Sequence, residues 1–255
     1  MIALRIAVWL ALLGCPLRLA AQPAPDTLVV EVEGAVAQPG TVEVKAGGRL
    51  SDVLNAVRPH PDAYLLGASL QRVKERRDQV RLHAGLQYTV DQLPAHDDLH
   101  VRAIGAQLDD WLQSHPATGR TRLVLERRLM QAHPRLDPPA QAGDRVLVPL
   151  RPRTVRVMGA VEHPCEVPHE PLLDAPGYLA RCPASAAADP DLLFVIQPDG
   201  LVQSLGVAAW NRADPQPVAA GGTVYVPIRQ SAMNHLDATF NEAFASFIAT
   251  QPVEP

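Results

Sequence analysis

Residues 30–42 read VEVEGAVAQPGTV, and residues 155–167 read VRVMGAVEHPCEV. Both carry Val-x-Val-x-Gly-Ala-Val-x-x-Pro, with the shared glycines Gly34 and Gly159 lying 125 positions apart (159 − 34). The alternation of Val30, Val32 and their polar neighbours predicts a half-buried strand. Pro39-Gly40 predicts a turn, because proline presets φ and glycine accepts a positive φ. VEVKAG is then the returning strand of a hairpin. Leu50, Val53, Leu54 and Val57 follow at helical spacing, and Pro59 ends that helix.

The phrase opens a longer repeat. AGDRVLVPLRP (142–152) corresponds to AGGTVYVPIRQ (220–230), so each unit closes on Ala-Gly-x-x-Val-x-Val-Pro. Unit one runs over 28–150 and unit two over 154–228. Two copies are too few for a solenoid, so two sibling domains in tandem are expected. Hairpin, helix, then further strands is the order of a β-grasp domain. In unit two the helix is read over Leu172–Arg181. Pro198-Asp199-Gly200 marks a later hairpin turn between two apolar runs. Unit one is longer by 48 residues (123 − 75). The surplus falls at about 60–120, where LLGASLQRVKERRDQVRLHAGLQYTV and DDLHVRAIGAQLDDWLQSH read as amphipathic helices. The fold class expected is α+β: two tandem β-grasp domains, a helical insertion in the first, and an amphipathic helix over 233–250.

That last helix carries Leu236, Phe240, Phe244, Phe247 and Ile248 on a narrow apolar stripe. Either it packs on its own domains, or it is a face that docks to a partner or a membrane surface.

The 255 residues are 47% apolar and 20% charged, an ordinary globular composition. The first 21 read as a cleaved secretory signal: a basic start at Arg5, an apolar run from Ile6 to Gly14, then small residues at Ala20 and Ala21. That run is far below the roughly 20 residues a membrane-spanning helix needs. LLGC ending at Cys15 is a rival lipoprotein pattern that would give a lipid anchor; cleavage near Ala21 is preferred. Without Arg5 and Arg18 the chain has 21 basic residues (23 − 2) against 27 acidic, a net of −6. Nucleic acid is therefore not an expected partner, since phosphate binding needs a basic surface. Cys165 and Cys182 remain after cleavage. In an oxidising compartment they form a disulfide or stay as two buried thiols. Cys165 also stands where the first copy has Gly40, and it fits only if that turn does not demand a positive φ or is otherwise held.

These features together resemble a known family. VEGAVAQPGTVEVKAGGRLSDVLNAV is similar to an SLBB segment, a β-grasp module of bacterial polysaccharide export proteins. The whole order resembles the capsule biosynthesis GfcC-like family, on GASLQRVKERRDQV, VPLRPRTVRVMGAV, LLFVIQPDGLVQSLGVAAWNR and the final helix. The resemblance implies a periplasmic, non-enzymatic protein acting with the polysaccharide export or assembly machinery.

No catalytic motif is found, and no cofactor or metal is expected. His96 and His100 have metal-binding spacing, but Asp97 and Asp98 between them read better as the start of a helix. Asp109 and Asp110 are adjacent, so on a helix they do not share one face well. Arg72, Arg76 and Arg77 are the candidate ligand-binding residues, because arginine forks suit the carboxylate of an acidic polysaccharide. The alternative is a solvated charged face laced with Glu75 and Asp78. Trp111, Tyr64, Tyr88 and Trp210 could stack on sugars. Two further functions are thus kept beside the accessory role: a polysaccharide-binding module working through the inserted helices, and an enzyme acting on polysaccharide.

Overall fold

A computed structural model describes residues 26–253 apart from Val124 and Glu126. The expected signal peptide and Cys15 lie outside the described residues. The first domain contains β1 (Thr27–Gly34), β2 (Gly40–Lys45), α1 (Leu50–Val57), β3 (Ser69–Gln71), α2 (Val73–Val90), α3 (Leu99–Ser114), β4 (Arg120–Thr121), α4 (Arg127–Ala132) and β5 (Arg145–Val148). The second contains β6 (Thr154–Gly159), β7 (Cys165–Pro168), α5 (Ala175–Leu179), β8 (Leu192–Ile196), β9 (Val202–Gly206) and β10 (Thr223–Val226). Two helices close the chain, α6 (Gln230–Met233) and α7 (Phe240–Ile248). The sheets run β2-β1-β5-β3-β4 and β7-β6-β10-β8-β9, the same order element for element. In each, the first strand pairs antiparallel with the second and parallel with the last. This is α+β architecture in two tandem β-grasp-like domains.

The repeated phrase has a steric cause. Gly34 has φ +90° and Gly159 φ +99°. A Cβ on either would stand 2.1 Å from the carbonyl oxygen of Val148 or 2.2 Å from that of Val226. Each glycine ends its strand where the parallel neighbour also ends. The next amide donates across: Ala35 N to Val148 O at 2.7 Å, Ala160 N to Val226 O at 2.8 Å. The second difference between the copies is also explained. Gly40 sits at φ +129°, whereas Cys165 is absent from the positive-φ positions, so its turn takes an ordinary residue. Cys165 and Cys182 are joined by a disulfide.

The boundaries of the insertion differ from the sequence reading. Ser69–Gln71, expected within a helix, is strand β3, paired with β5 through Leu70 and Val146. Tertiary pairing overrides the local pattern there. In the second domain β8 passes to β9 through residues 197–201. In the first, residues 72–119 fill the equivalent place between β3 and β4, so the insertion replaces a hairpin turn. The helix read over Leu172–Arg181 is shortened to α5, since Leu172 has φ +64° and Asp174 caps the helix by accepting from Gly177 N. The helix expected over 233–250 is broken. Asp237 accepts from the amide and hydroxyl of Thr239 and holds a turn between α6 and α7.

Two hydrophobic cores form among the described residues. One belongs to the first domain alone, around Val30, Val32, Leu50, Val53, Leu70 and Val146. The other joins the second sheet to α7 and to the inserted helices, through Leu86, Ile104, Leu108 and Leu112. Strand β10 is consequently buried on both faces, while its counterpart β5 leaves Arg145 exposed. The apolar face, read either as internal packing or as a docking surface, is used internally. Phe240, Phe244 and Phe247 are fully buried, Ile248 nearly so, and Leu236 packs partly buried against the same core. Phe244 stacks on Tyr225 at 5.3 Å and meets Trp111 of α3 at 5.4 Å. Burial of each phenylalanine is worth about 1.5–3 kcal/mol, and the sheet and inserted helices supply the apolar surface that the sequence could not locate.

Candidate functional site: an arginine-lined cleft between the domains

The linker Leu150–Thr154 runs between the two sheets and is held at both ends. Pro149 O accepts from Tyr64 N at 2.8 Å, Arg153 O from His169 N at 2.8 Å, and Thr154 O from Gly221 N at 2.8 Å. Beside it opens a cleft of about 480 Å³, a size typical of small-molecule sites, roughly 300–1,000 Å³. Its walls come from the linker, from β6, from the end of β8, from the segment Gly221–Thr223 and from the chain after α7. Trp111 reaches it from the inserted helix α3.

Among the described residues, four arginines line the cleft, Arg120, Arg151, Arg153 and Arg156, against one carboxylate, Glu166. That reverses locally the negative sign of the chain as a whole. Arg151 lies over the ring of Tyr64, 5.5 Å from its centroid, and Tyr64 donates to Ala220 O at 2.9 Å. Burial raises the Tyr64 phenol above its usual range, against the opposing charge of Arg151. Arg156 meets Glu166 at 3.4 Å. Arg151 and Arg153 are exposed and have no carboxylate partner among the described residues.

Arg120 is a different kind of residue. It is 5% exposed, and it donates to three carbonyls: Gln251 O at 2.5 Å, Ala249 O at 3.4 Å and Pro198 O. Two of those carbonyls follow the last turn of α7, where a cation complements the helix dipole. Burial lowers its pKa to about 10, with Asp199 acting the other way, so it remains charged at neutral pH. Asp199 is itself paired with Arg122 at 3.0 Å. Arg120 is therefore the floor of the cleft and a fastener between the domains.

The arginines proposed from sequence do not line this cleft. Arg72 pairs with buried Asp144 through two 3.1 Å hydrogen bonds and donates to Pro139 O at 2.7 Å. Arg76 donates to Ala117 O at 3.1 Å, and Arg77 stands exposed on α2. Arg72 holds the insertion to its domain, while Arg76 ties the start of the insertion to its end. His96 accepts from the amide of Asp98, which caps α3 by accepting from His100 N at 2.8 Å. Among the described residues no group of three or more His, Cys, Asp or Glu is placed to hold a metal ion. Asp109 accepts from Gln87 and Gln113. Trp210 and Tyr88 are exposed and isolated from the cleft. Sequence reasoning passed over Arg151, Arg153 and Arg156, although LRPRTVR packs three arginines into the junction between the repeat units.

Fold and cleft define a tandem β-grasp-like protein with a basic interdomain groove. Residues 163–252 match the family model described as Capsule biosynthesis GfcC C-terminal. That stretch covers the second domain from β7 through α7, and over it the resemblance read from the sequence holds. The chain is also similar to the "Uncharacterized protein YjbG" of Escherichia coli (strain K12), 28% identical over 147 residues. The match covers 58% of this chain and 58% of that protein, so it spans less than two thirds of the relative's length. Among the described residues no helix is long and apolar enough to cross a membrane.

Proposed function

We propose that this chain is a periplasmic, non-enzymatic accessory protein in the assembly or export of a capsule or exopolysaccharide. The observation that carries the reading is the match of residues 163–252 to the capsule biosynthesis family. The architecture supports it. The inserted helices α2 and α3 and the residues after α7 bind the two domains together, which suits a protein that presents fixed surfaces to an assembly. Its partners are components of the polysaccharide export or assembly machinery, met through surfaces other than the buried face of α7. The test is removal of the chain from its host, with surface and secreted polysaccharide quantified before and after restoring it. Loss of exported polymer with recovery on restoration is expected; unchanged export overturns the reading. Recovery of assembly proteins from cross-linked periplasm identifies the partners.

A second reading, direct contact with the polymer, is favoured by one observation: the cleft concentrates positive charge on an acidic chain. It moves the contact from the inserted helices, where the sequence placed it, to the junction of the domains. Release of reducing ends from purified polymer by the purified protein would replace both readings with an enzymatic one.

A further inference from the structure

We propose that the interdomain cleft binds a saccharide unit bearing an anionic group, a carboxylate or a phosphate. The inference deepens the reading above and rests on it for the source of the ligand. Three features of the cleft carry it.

The first is charge. Arg151 and Arg153 extend from the linker with no carboxylate partner among the described residues, and Arg156 and Arg120 stand in the same walls. Cationic side chains lining a concave, partly apolar site focus the local field and favour an anion. Their planar forks match carboxylate and phosphate oxygens. The second is preorganisation. Pro152 lies between Arg151 and Arg153, and hydrogen bonds to Pro149 O, Arg153 O and Thr154 O hold the backbone that presents them. Less ordering is then lost on binding. The third is shape and lining. A volume of about 480 Å³ with Trp111, Ile196, Ile248 and Val253 in its walls offers apolar surface for the faces of a sugar ring. A site for a bare ion needs no such wall. Long nucleic acids are disfavoured by the net negative charge of the rest of the molecule.

The test is calorimetric titration of the full mature protein with four probes: a uronic-acid oligosaccharide, a sugar phosphate, a neutral oligosaccharide of equal length, and inorganic phosphate. One of the two anionic sugars is expected to bind, with affinity falling as salt rises, and the neutral one to bind at least about tenfold more weakly. Which anionic sugar binds identifies the source of the charge. The double variant Arg151→Gln/Arg153→Gln, which loses one cation–π contact with Tyr64, should lower Tm only slightly and weaken binding about tenfold or more. Glu166→Gln removes the one carboxylate among the described lining residues and should tighten it. Inorganic phosphate binding as tightly as either sugar would reduce the cleft to an anion site and overturn the proposal. So would equal binding of the neutral probe, no binding by any sugar, or an affinity that the double variant leaves unchanged. The accessory role stands or falls separately: it fails if deletion of the chain leaves polymer export intact, whatever the titrations give.

Discussion

Arg120 of the first sheet donates to the carbonyl of Pro198 in the hairpin turn of the second. The same guanidinium reaches Gln251 beyond α7, so one buried cation joins three separate parts of the chain. Arg120→Ala leaves these carbonyls without a donor in a closed site, and a loss of about 2–4 kcal/mol is expected. Arg120→Lys keeps the charge but not the fork, and should recover only part of that loss. Urea unfolding of both variants, with limited proteolysis to follow the segment after α7, checks the order wild type, lysine, alanine.

Gly34 and Gly159 make a paired prediction. Both combine positive φ with a carbonyl in the space a Cβ would need. Alanine at either should cost about 2–4 kcal/mol, well above the roughly 1 kcal/mol of an ordinary Gly→Ala change, because strand ends must separate to admit the methyl group. Alanine at Gly40, where a Cβ meets nothing within 4 Å, should cost less, since only φ is unfavourable. Thermal unfolding of the three variants ranks them directly.

How far the fold was legible follows from the range of the interactions. The repeated phrase could be read because its constraints are local: alternation at Val30 and Val32, a proline, a glycine. Strand β3 could not, because three residues carry no periodicity and their pairing with Leu147, Val146 and Arg145 is distant in the chain. The stripe from Leu236 to Ile248 announced a buried face, but nothing in it says whether the surface it meets is a partner or α3 of its own chain. Arg72 announced charge, while its partner Asp144 lies 72 residues away. The cleft was illegible for the same reason: only the fold brings Arg120 and the arginines of the linker into one wall.

The disulfide closes a sequence separation of 17 and ties β7 to Cys182, just beyond α5. A bridge over such a loop is worth about 3 kcal/mol. The double variant Cys165→Ser/Cys182→Ser should lose that amount in urea unfolding. Reductant should lower wild type to the same level and leave the variant unmoved. A variant that responds to reductant equally would show the effect to arise elsewhere.

Acid should weaken the molecule through two carboxylates. The amide of His100 first, and Arg229 after it, hold Asp98 below its ordinary 3.8. The hydrogen bonds from Arg181 hold Glu170 below 4.5. The folded state therefore binds fewer protons than the unfolded chain as these groups titrate. Their stabilisation is complete above those unfolded values and is lost as pH falls through the folded ones. Asp98 accepts from Arg229 at 2.9 Å and so joins the inserted helix to the second domain. Asp98→Asn, which keeps a capping acceptor but not the charge, should flatten the decline below about pH 4. Denaturant midpoints measured across that range, for wild type and variant, decide it.

The tail offers the sharpest contrast between two uses of one sequence. A docking helix can be removed without harm to the body of the protein. A helix whose Phe240, Phe244 and Phe247 are fully buried cannot, because Tyr225 and Trp111 lose their cover with it. Phe244→Ala should cost about 3–5 kcal/mol. Truncation after Met233 should give a chain with exposed apolar surface, weakened near-ultraviolet circular dichroism and rapid proteolysis of α2 and α3. If instead the truncated chain unfolds at the wild-type midpoint, its aromatic face contributes nothing to the core. Binding to a partner would then be the remaining reason for four apolar side chains on one short helix.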